Sequence, residues 1–500
     1  MKGWVGLISL FELFMNVPYI DSNVRFEVEI GGVCFDSRLV EPGCVFVCIE
    51  GGSADGHLYA ADALKKGAAA VVVSKLNGDV SEDYVLVNDT REALALICAN
   101  YYGRPADVMT IIGVTGTNGK TSVSHYVKHI LEVMGKKVGL IGTNGVKFGD
   151  KTVREIDSAS TTPEPLELHG IFKDFYNLGA EYVVMEVSSH ALSQKRVFGI
   201  NFEIGFFTNL TQDHLDYHVD MESYFMAKSI LFDQCKYSVI NYDDEYAQRL
   251  IDKTGENNLT FSTESNEADL IAKNIRYRQN SVAFDVLIDS FISPVFINIP
   301  GIFSVQNALA AIGAVLILGF EMEDILSAVG TCTPIKGRTE VIPFVMLGGK
   351  QLTVMIDYAH TPDGLKKLLE SMKMTLDGRS MILVFGCGGD RDKDKRPQMG
   401  SIAERYADYV IVTSDNPRNE EPHDIISDIM SGMKEAENKR SAVVNRIDAI
   451  RHAIGYARDG DLVILAGKGH ETYQEIKGVK YDMDEREILK MILSENRQDV

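Results

Sequence analysis

Residues 111–122 read Ile111-Ile112-Gly113-Val114-Thr115-Gly116-Thr117-Asn118-Gly119-Lys120-Thr121-Ser122, an apolar run that breaks into a glycine-punctuated loop and then opens a helical stretch. A strand handing the chain to such a loop is a phosphate cradle, because the glycines let backbone N–H groups turn toward phosphate oxygens. Lys120 adds a point charge and Thr121 a hydroxyl suited to magnesium. Gly116, Thr117, Asn118, Gly119 and Ser122 complete the cradle, so nucleotide chemistry is the expected function. In the strict phosphate-loop spacing a glycine stands six residues before the lysine. Here Val114 holds that place, with Gly113 one residue earlier and Gly116 inside the loop, which separates the chain from the common kinases and GTPases.

Outward from the loop, residues 107–337 alternate buried-strand runs (Tyr-Val-Val-Met, Ile-Gly-Phe-Phe) with helical segments, the pattern of a mostly parallel sheet covered on both faces. Residues 338–500 repeat it with Leu-Thr-Val-Met-Ile-Asp, Met-Ile-Leu-Val-Phe-Gly, Tyr-Val-Ile-Val-Thr-Ser and Leu-Val-Ile-Leu-Ala-Gly, which predicts a second, doubly wound sheet. Residues 1–106 form a smaller α/β unit. The expected fold is α/β in three domains with these bounds, and ligands are expected outside the carboxyl ends of the strands.

Fifty Lys and Arg against 71 Asp and Glu leave a net charge of −21, which argues against nucleic-acid binding; an anionic substrate must be held by local cations and N–H groups. Seven cysteines without Cys-x-x-Cys spacing argue against disulfides and a zinc site and fit a reducing cytoplasm. The N-terminal stretch, apolar but interrupted by Glu12, is too short to span a bilayer and reads as an amphipathic first helix.

Glu186 ends an apolar strand in the block of the phosphate loop and is a candidate magnesium ligand. His214 and His218 could share a helix face, but no third ligand at metal spacing accompanies them, and plain surface histidines stay an open reading. Taken singly, the charged stretch 389–396 reads as a solvated loop, Asp415-Asn416-Pro417-Arg418 as a turn, and Gly467-Lys468-Gly469-His470-Glu471 as a glycine loop.

Jointly these segments resemble the Mur ligase family over the whole chain. The run Tyr224-Phe-Met-Ala-Lys228, preceded by Asp213-His214-Leu-Asp-Tyr-His218, is similar to the segment whose lysine is carbamylated in that family. The resemblance implies an ATP-dependent amide ligase using magnesium, held by Thr121, Glu186, the carbamate (N6-carboxylysine) of Lys228 and His214, with Lys120 on the transferring phosphoryl group. It implies a central P-loop-type ATPase domain, with Asn307 of that domain, Arg338 at the domain hinge, and Asp357 and His360 of the last domain on the nucleotide side. It implies a uridine-nucleotide N-terminal domain, with Ser37 of that domain and Thr161, Thr162, Ser188, Gln194 and Arg196 of the central one toward a UDP-N-acetylmuramoyl-dipeptide. The C-terminal Rossmann-like domain would bind the incoming amine through Arg391, Asp415, Asn416, Pro417, Arg418, Gly467 and Glu471. The Asp-Asn-Pro-Arg form implies meso-diaminopimelate over lysine, with Arg418 gripping its far carboxylate, Asn416 adding a donor and Glu471 accepting from the adjacent ammonium. No membrane partner is implied, and a monomer is expected. One departure is Ser304, where the family usually carries asparagine.

Two rivals share parts of the pattern. A folylpolyglutamate synthetase would lack the Asp36-Ser37-Arg38 block and the Asp-Asn-Pro-Arg loop. A nucleotide-sensing protein without ligation would have no use for Lys120, Glu186, Lys228 and Arg418 together.

Overall fold

The computed structural model of the chain describes residues 6–52, 54–76, 80–154, 161–346, 349–434 and 437–498. The cradle folds as strand Thr110–Thr115, loop 116–119 and helix Lys120–Val133. That strand sits inside an eleven-stranded sheet, flanked in parallel by Tyr182–Glu186 and Phe202–Phe207. Parallel pairing runs on through Val138–Gly142 on one side and Cys235–Asn241, Asn258–Ser262 and Leu270–Arg278 on the other. The central strands are apolar at nearly every position because both faces are covered. Ile112, Val114 and Val184 pack with helices Lys120–Val133 and Ile302–Ile317, while Ile111, Val183 and Met185 pack with helix Pro165–Asn177.

The parallel pattern stops at both edges. Gly145–Phe148 and Lys151–Arg154 form an antiparallel hairpin at one, and Leu270–Arg278, Ser281–Ile288 and Phe291–Ile297 an antiparallel meander at the other. Outer residues of the meander alternate between buried and exposed, as one-face-solvated strands do.

The last block holds a six-stranded sheet in the order Glu340–Val345, Gln351–Asp357, Leu462–Ala466, Met381–Phe385, Tyr409–Val412, Arg440–Ala442, parallel except for its first strand. Because the second to fifth of these are neighbours, the loops that follow them open along one edge. The charged stretch 389–396 is not a solvated loop throughout. It turns into helix Lys395–Tyr406 with Lys395 and Arg396 buried, and Arg396 is held at 2.8 Å by both Glu420 and Asp428, two carboxylates that offset the cost of burying a guanidinium.

The N-terminal sheet has five strands, ordered Asp21–Ser22, Tyr84–Leu86, Ala70–Val73, Cys44–Val47, Gly32–Cys34, and is covered by helix Thr90–Tyr101, whose N-cap is Asp89. The amphipathic first helix shrinks to one turn, Leu10–Leu13, with Ser9 and Glu12 as its capping box. Pairing of Ile8–Ser9 with Glu29–Ile30 takes the preceding backbone into a strand, and residues 1–5 lie outside those described. No helix among the described residues is long and apolar enough to cross a membrane.

Candidate active site

Gly116 (φ +146°) and Gly119 (φ +87°) adopt backbone conformations that side chains disfavour, and space forbids a side chain as well. A Cβ on Gly116 would run into Thr208, and one on Gly119 would lie 2.9 Å from Asn307 Oδ1. The loop is clamped from the next strand end. Thr208 Oγ1 donates to the Asn118 carbonyl at 2.6 Å, and Asn209 Oδ1 accepts from the Asn118 N–H at 2.9 Å.

Lys120 Nζ donates to the carbonyls of Gly116 and Thr117, both at 2.9 Å. Lys228, on helix Met221–Ser229, donates to the same Gly116 carbonyl at 2.8 Å and stands 4.5 Å over the Tyr224 ring. Burial first, and the Lys120 charge second, push Lys228 well below the ordinary lysine value; burial likewise pushes Lys120 down.

The Glu186 carboxylate, at its strand end, accepts from Thr121 Oγ1 at 3.1 Å and from the Thr143 N–H and Oγ1 at 2.9 and 3.0 Å. Arg338 Nη2 reaches across from the linker to Thr121 Oγ1 at 3.2 Å, with the guanidinium 4.5 Å over the Tyr358 ring. Asn118, Gly119, Ser122, Asn307, Arg338 and Asp357 line one cavity between the central and last sheets. Asp357 accepts from the Thr339 N–H at 2.7 Å, and burial raises its carboxyl pKa. His360 instead turns to Asp213, 3.9 Å away, and His214 lies 3.4 Å from the same carboxylate. Burial pushes His360 down to about 4 and His214 to about 3, so both rings are neutral near pH 7. Ser304 donates to the Pro300 carbonyl at 2.8 Å, a bond within its own helix start.

Ser37 and Gln194 line a second cavity with Asp36, Arg38, Arg91 and Glu164. Thr161 lies 3.5 Å from Thr143 Oγ1, beside Glu186, and Arg196 pairs at 2.7 Å with Glu164, which lines this cavity. The buried Thr162 hydroxyl donates to the Glu186 carbonyl at 2.9 Å and accepts from the Ser188 N–H at 3.0 Å, while Arg196 Nη1 donates to the Thr162 carbonyl at 2.7 Å.

In the last sheet Asn416 and Glu471 bond each other rather than standing apart, Nδ2 to Oε2 at 2.9 Å. Buried Lys468 joins them, 2.8 Å from Asn416 Oδ1 and 2.5 Å from Glu471. Arg418 takes a left-handed conformation (φ +50°), donates to the Gly389 carbonyl at 2.7 Å and sits 3.4 Å from Glu475. Arg391 is exposed on the neighbouring loop, and a Cβ built on Gly388 would lie 3.0 Å from Arg418 Nη1 and 3.8 Å from the Arg391 side chain. Gly467 passes close to Asp415, and a Cβ there would lie 2.8 Å from its Oδ2. Pro417 is buried where its carbonyl meets Gly389.

Family models for the catalytic domain of the Mur ligase family, the Mur ligase middle domain and the Mur ligase glutamate ligase domain match residues 29–102, 114–315 and 337–469. A protein of Caldanaerobacter subterraneus subsp. tengcongensis, named UDP-N-acetylmuramoyl-L-alanyl-D-glutamate--2,6-diaminopimelate ligase, is 46% identical over 476 residues, 94% of this chain and 96% of its own length. The chain belongs to the Mur ligase family. A Mur ligase of the same name from Clostridium botulinum is 43% identical over 98% of this chain and 99% of its own. A solved Mur ligase structure, titled with that name too, covers 98% of this chain and 100% of its own at TM-score 0.70 and 32% identity.

Several residues of this Mur ligase site escape a reading of motifs. Lys468 stands inside the glycine loop 467–471, and a lysine between two glycines is its one local signal. Asp213, Thr208 and Asn209 follow a strand as the loop clamp and the histidine partner. Glu475 has no local signal, since a backbone bridge between Arg418 and strand 473–476 is what brings it to Arg418.

Proposed function

We propose that this Mur ligase joins meso-2,6-diaminopimelate to the D-glutamate carboxylate of UDP-N-acetylmuramoyl-L-alanyl-D-glutamate in peptidoglycan precursor synthesis, acting as a cytoplasmic monomer. It is an ADP-forming carboxylate–amine ligase. The observation that carries the reading is the meeting of Lys120 and Lys228 on the Gly116 carbonyl, beside the Thr121–Glu186 hydrogen bond.

A carboxylate resists amine attack because its leaving oxygen is too basic. Transfer of the ATP γ-phosphoryl group to that oxygen gives an acyl phosphate. The amine then forms the C–N bond as the C–O bond to phosphate breaks. The loop N–H groups at the start of helix Lys120–Val133, together with Lys120, stabilise the charge on the phosphoryl group in flight. Arg338, already 3.2 Å from Thr121 Oγ1, brings a second cation from the linker. Thr121, Glu186 and neutral His214 suit magnesium, and so does a carbamate on Lys228, which forms when its neutral amine bonds to carbon dioxide and sheds a proton. Bound there, magnesium would offset the charge of the phosphate oxygens. Arg418, with Arg391 close by, takes the far carboxylate of diaminopimelate, while the Asn416–Lys468–Glu471 network orders its amino acid centre.

Purified protein with magnesium, ATP and the uridine substrate should release phosphate only when diaminopimelate is added. Lys120→Ala should abolish turnover while uridine-substrate binding persists. Rapid hydrolysis without acceptor, or activity with folate and glutamate instead, would refute the reading.

A further inference from the structure

A separate cavity, open to solvent, lies along the middle of helix Lys120–Val133. Its other walls are the hairpin of Gly145–Phe148 and Lys151–Arg154 and the segment 332–336 that leads into Arg338. It shares no lining residue with the nucleotide cavity. Each wall contributes one lysine: Lys128, Lys147 and Lys336. Lys128 is paired with Glu132 at 2.5 Å, and Lys336 stands 3.7 Å from Asp484. Lys147 is half-buried, and among the described residues nothing pairs with it. Burial chiefly, then the charges of Lys128 and Lys336, press its amine below the ordinary lysine value. Asp150, at the exposed hairpin tip, pairs with none of the three. A half-buried ammonium facing two others without a counterion of its own is an arrangement that an anion relieves.

We infer that this cavity binds a tetrahedral oxyanion of the phosphate type, the three lysines taking its charged oxygens. An anion seated here ties the phosphate-loop helix to the linker that carries Arg338.

The test is calorimetric titration of the full chain with inorganic phosphate at constant ionic strength, after magnesium and a non-hydrolysable ATP analogue have filled the phosphate loop. One equivalent should bind. Lys147→Ala should weaken it about ten-fold or more, as loss of a charged hydrogen-bond donor does, and Lys147→Arg should keep most of it. Sulfate, a tetrahedral oxyanion of similar size, should compete with phosphate for the same site. Tighter binding of glycerol phosphate would identify an organic monoester as the ligand, and binding of phosphate alone the free ion. Absence of binding at millimolar phosphate, unchanged affinity in folded Lys147→Ala, or failure of sulfate to compete would overturn the site.

Discussion

A lysine that shares one buried carbonyl with a second lysine gives up its proton more readily than a lysine in water. Lys228 is in that position, 2.8 Å from the oxygen that also accepts from Lys120, and its neutral amine persists to lower pH than that of a free lysine. Carbamylation needs that neutral form. Enzyme stripped of carbon dioxide should regain activity with bicarbonate at mildly alkaline pH, and the recovery should fade as pH falls through the lowered amine value. Lys228→Ala should lose most activity at every pH, with partial rescue by short carboxylic acids; full activity in that variant would end the carbamate idea. At Arg418 the prediction concerns selectivity. Alanine inherits the same left-handed backbone, so Arg418→Ala tests the side chain alone. Efficiency with diaminopimelate should drop about 10²- to 10⁴-fold, the range expected when a bound carboxylate loses its charged partner, while the weak use of lysine barely changes. Equal losses with both acceptors, measured as kcat/KM, would remove Arg418 from acceptor choice.

Helix Pro165–Asn177 shows how an element can carry a hidden pH dependence. His169 is buried, packed edge-on to Phe172 at 5.7 Å, and among the described residues neither ring nitrogen has a partner. Burial pushes it from 6.5 to about 3. A histidine whose folded value lies below its unfolded value costs stability as pH drops through that interval, because the unfolded chain binds the proton that the folded chain refuses. Between pH 7.5 and pH 5 this amounts to about 2 kcal/mol. His169→Leu should therefore shrink the loss of stability between those two pH values by about that amount, read from denaturant unfolding at each. An identical loss in the variant would show that this ring titrates normally. The helix termini are less surprising: Asp89 and Thr361 cap theirs through the N–H groups that their positions predict.

At the scale of the whole molecule, the reacting groups arrive from different sheets. Arg338 reaches Thr121 from the linker, Asn118 Nδ2 meets Asp363 at 3.2 Å, and Gln212 meets Asp392 at 3.3 Å, so contacts of the last block help to set the phosphate loop. Arg338→Ala should lower kcat by about 10²- to 10³-fold, the range for removing one preorganised donor to a developing charge, and leave uridine-substrate affinity intact. A rise in ATP KM with kcat unchanged would make it a ground-state contact only. The phosphate loop, the apolar runs of the central strands and the polar loops that follow them were all legible in the sequence, because glycine spacing, two-sided burial and strand ends leave local marks. So was Glu186, a carboxylate closing such a run. The sequence by itself also determined that Lys120 and Thr121 head a helix. What only the tertiary structure decided is who meets whom: Lys228 with Lys120 on Gly116, Arg338 with Thr121, Lys468 between Asn416 and Glu471, and the turning of His360 to Asp213 instead of the nucleotide cavity. Strand order sets those meetings, and order follows from how whole faces are buried, a property that no short window of residues carries.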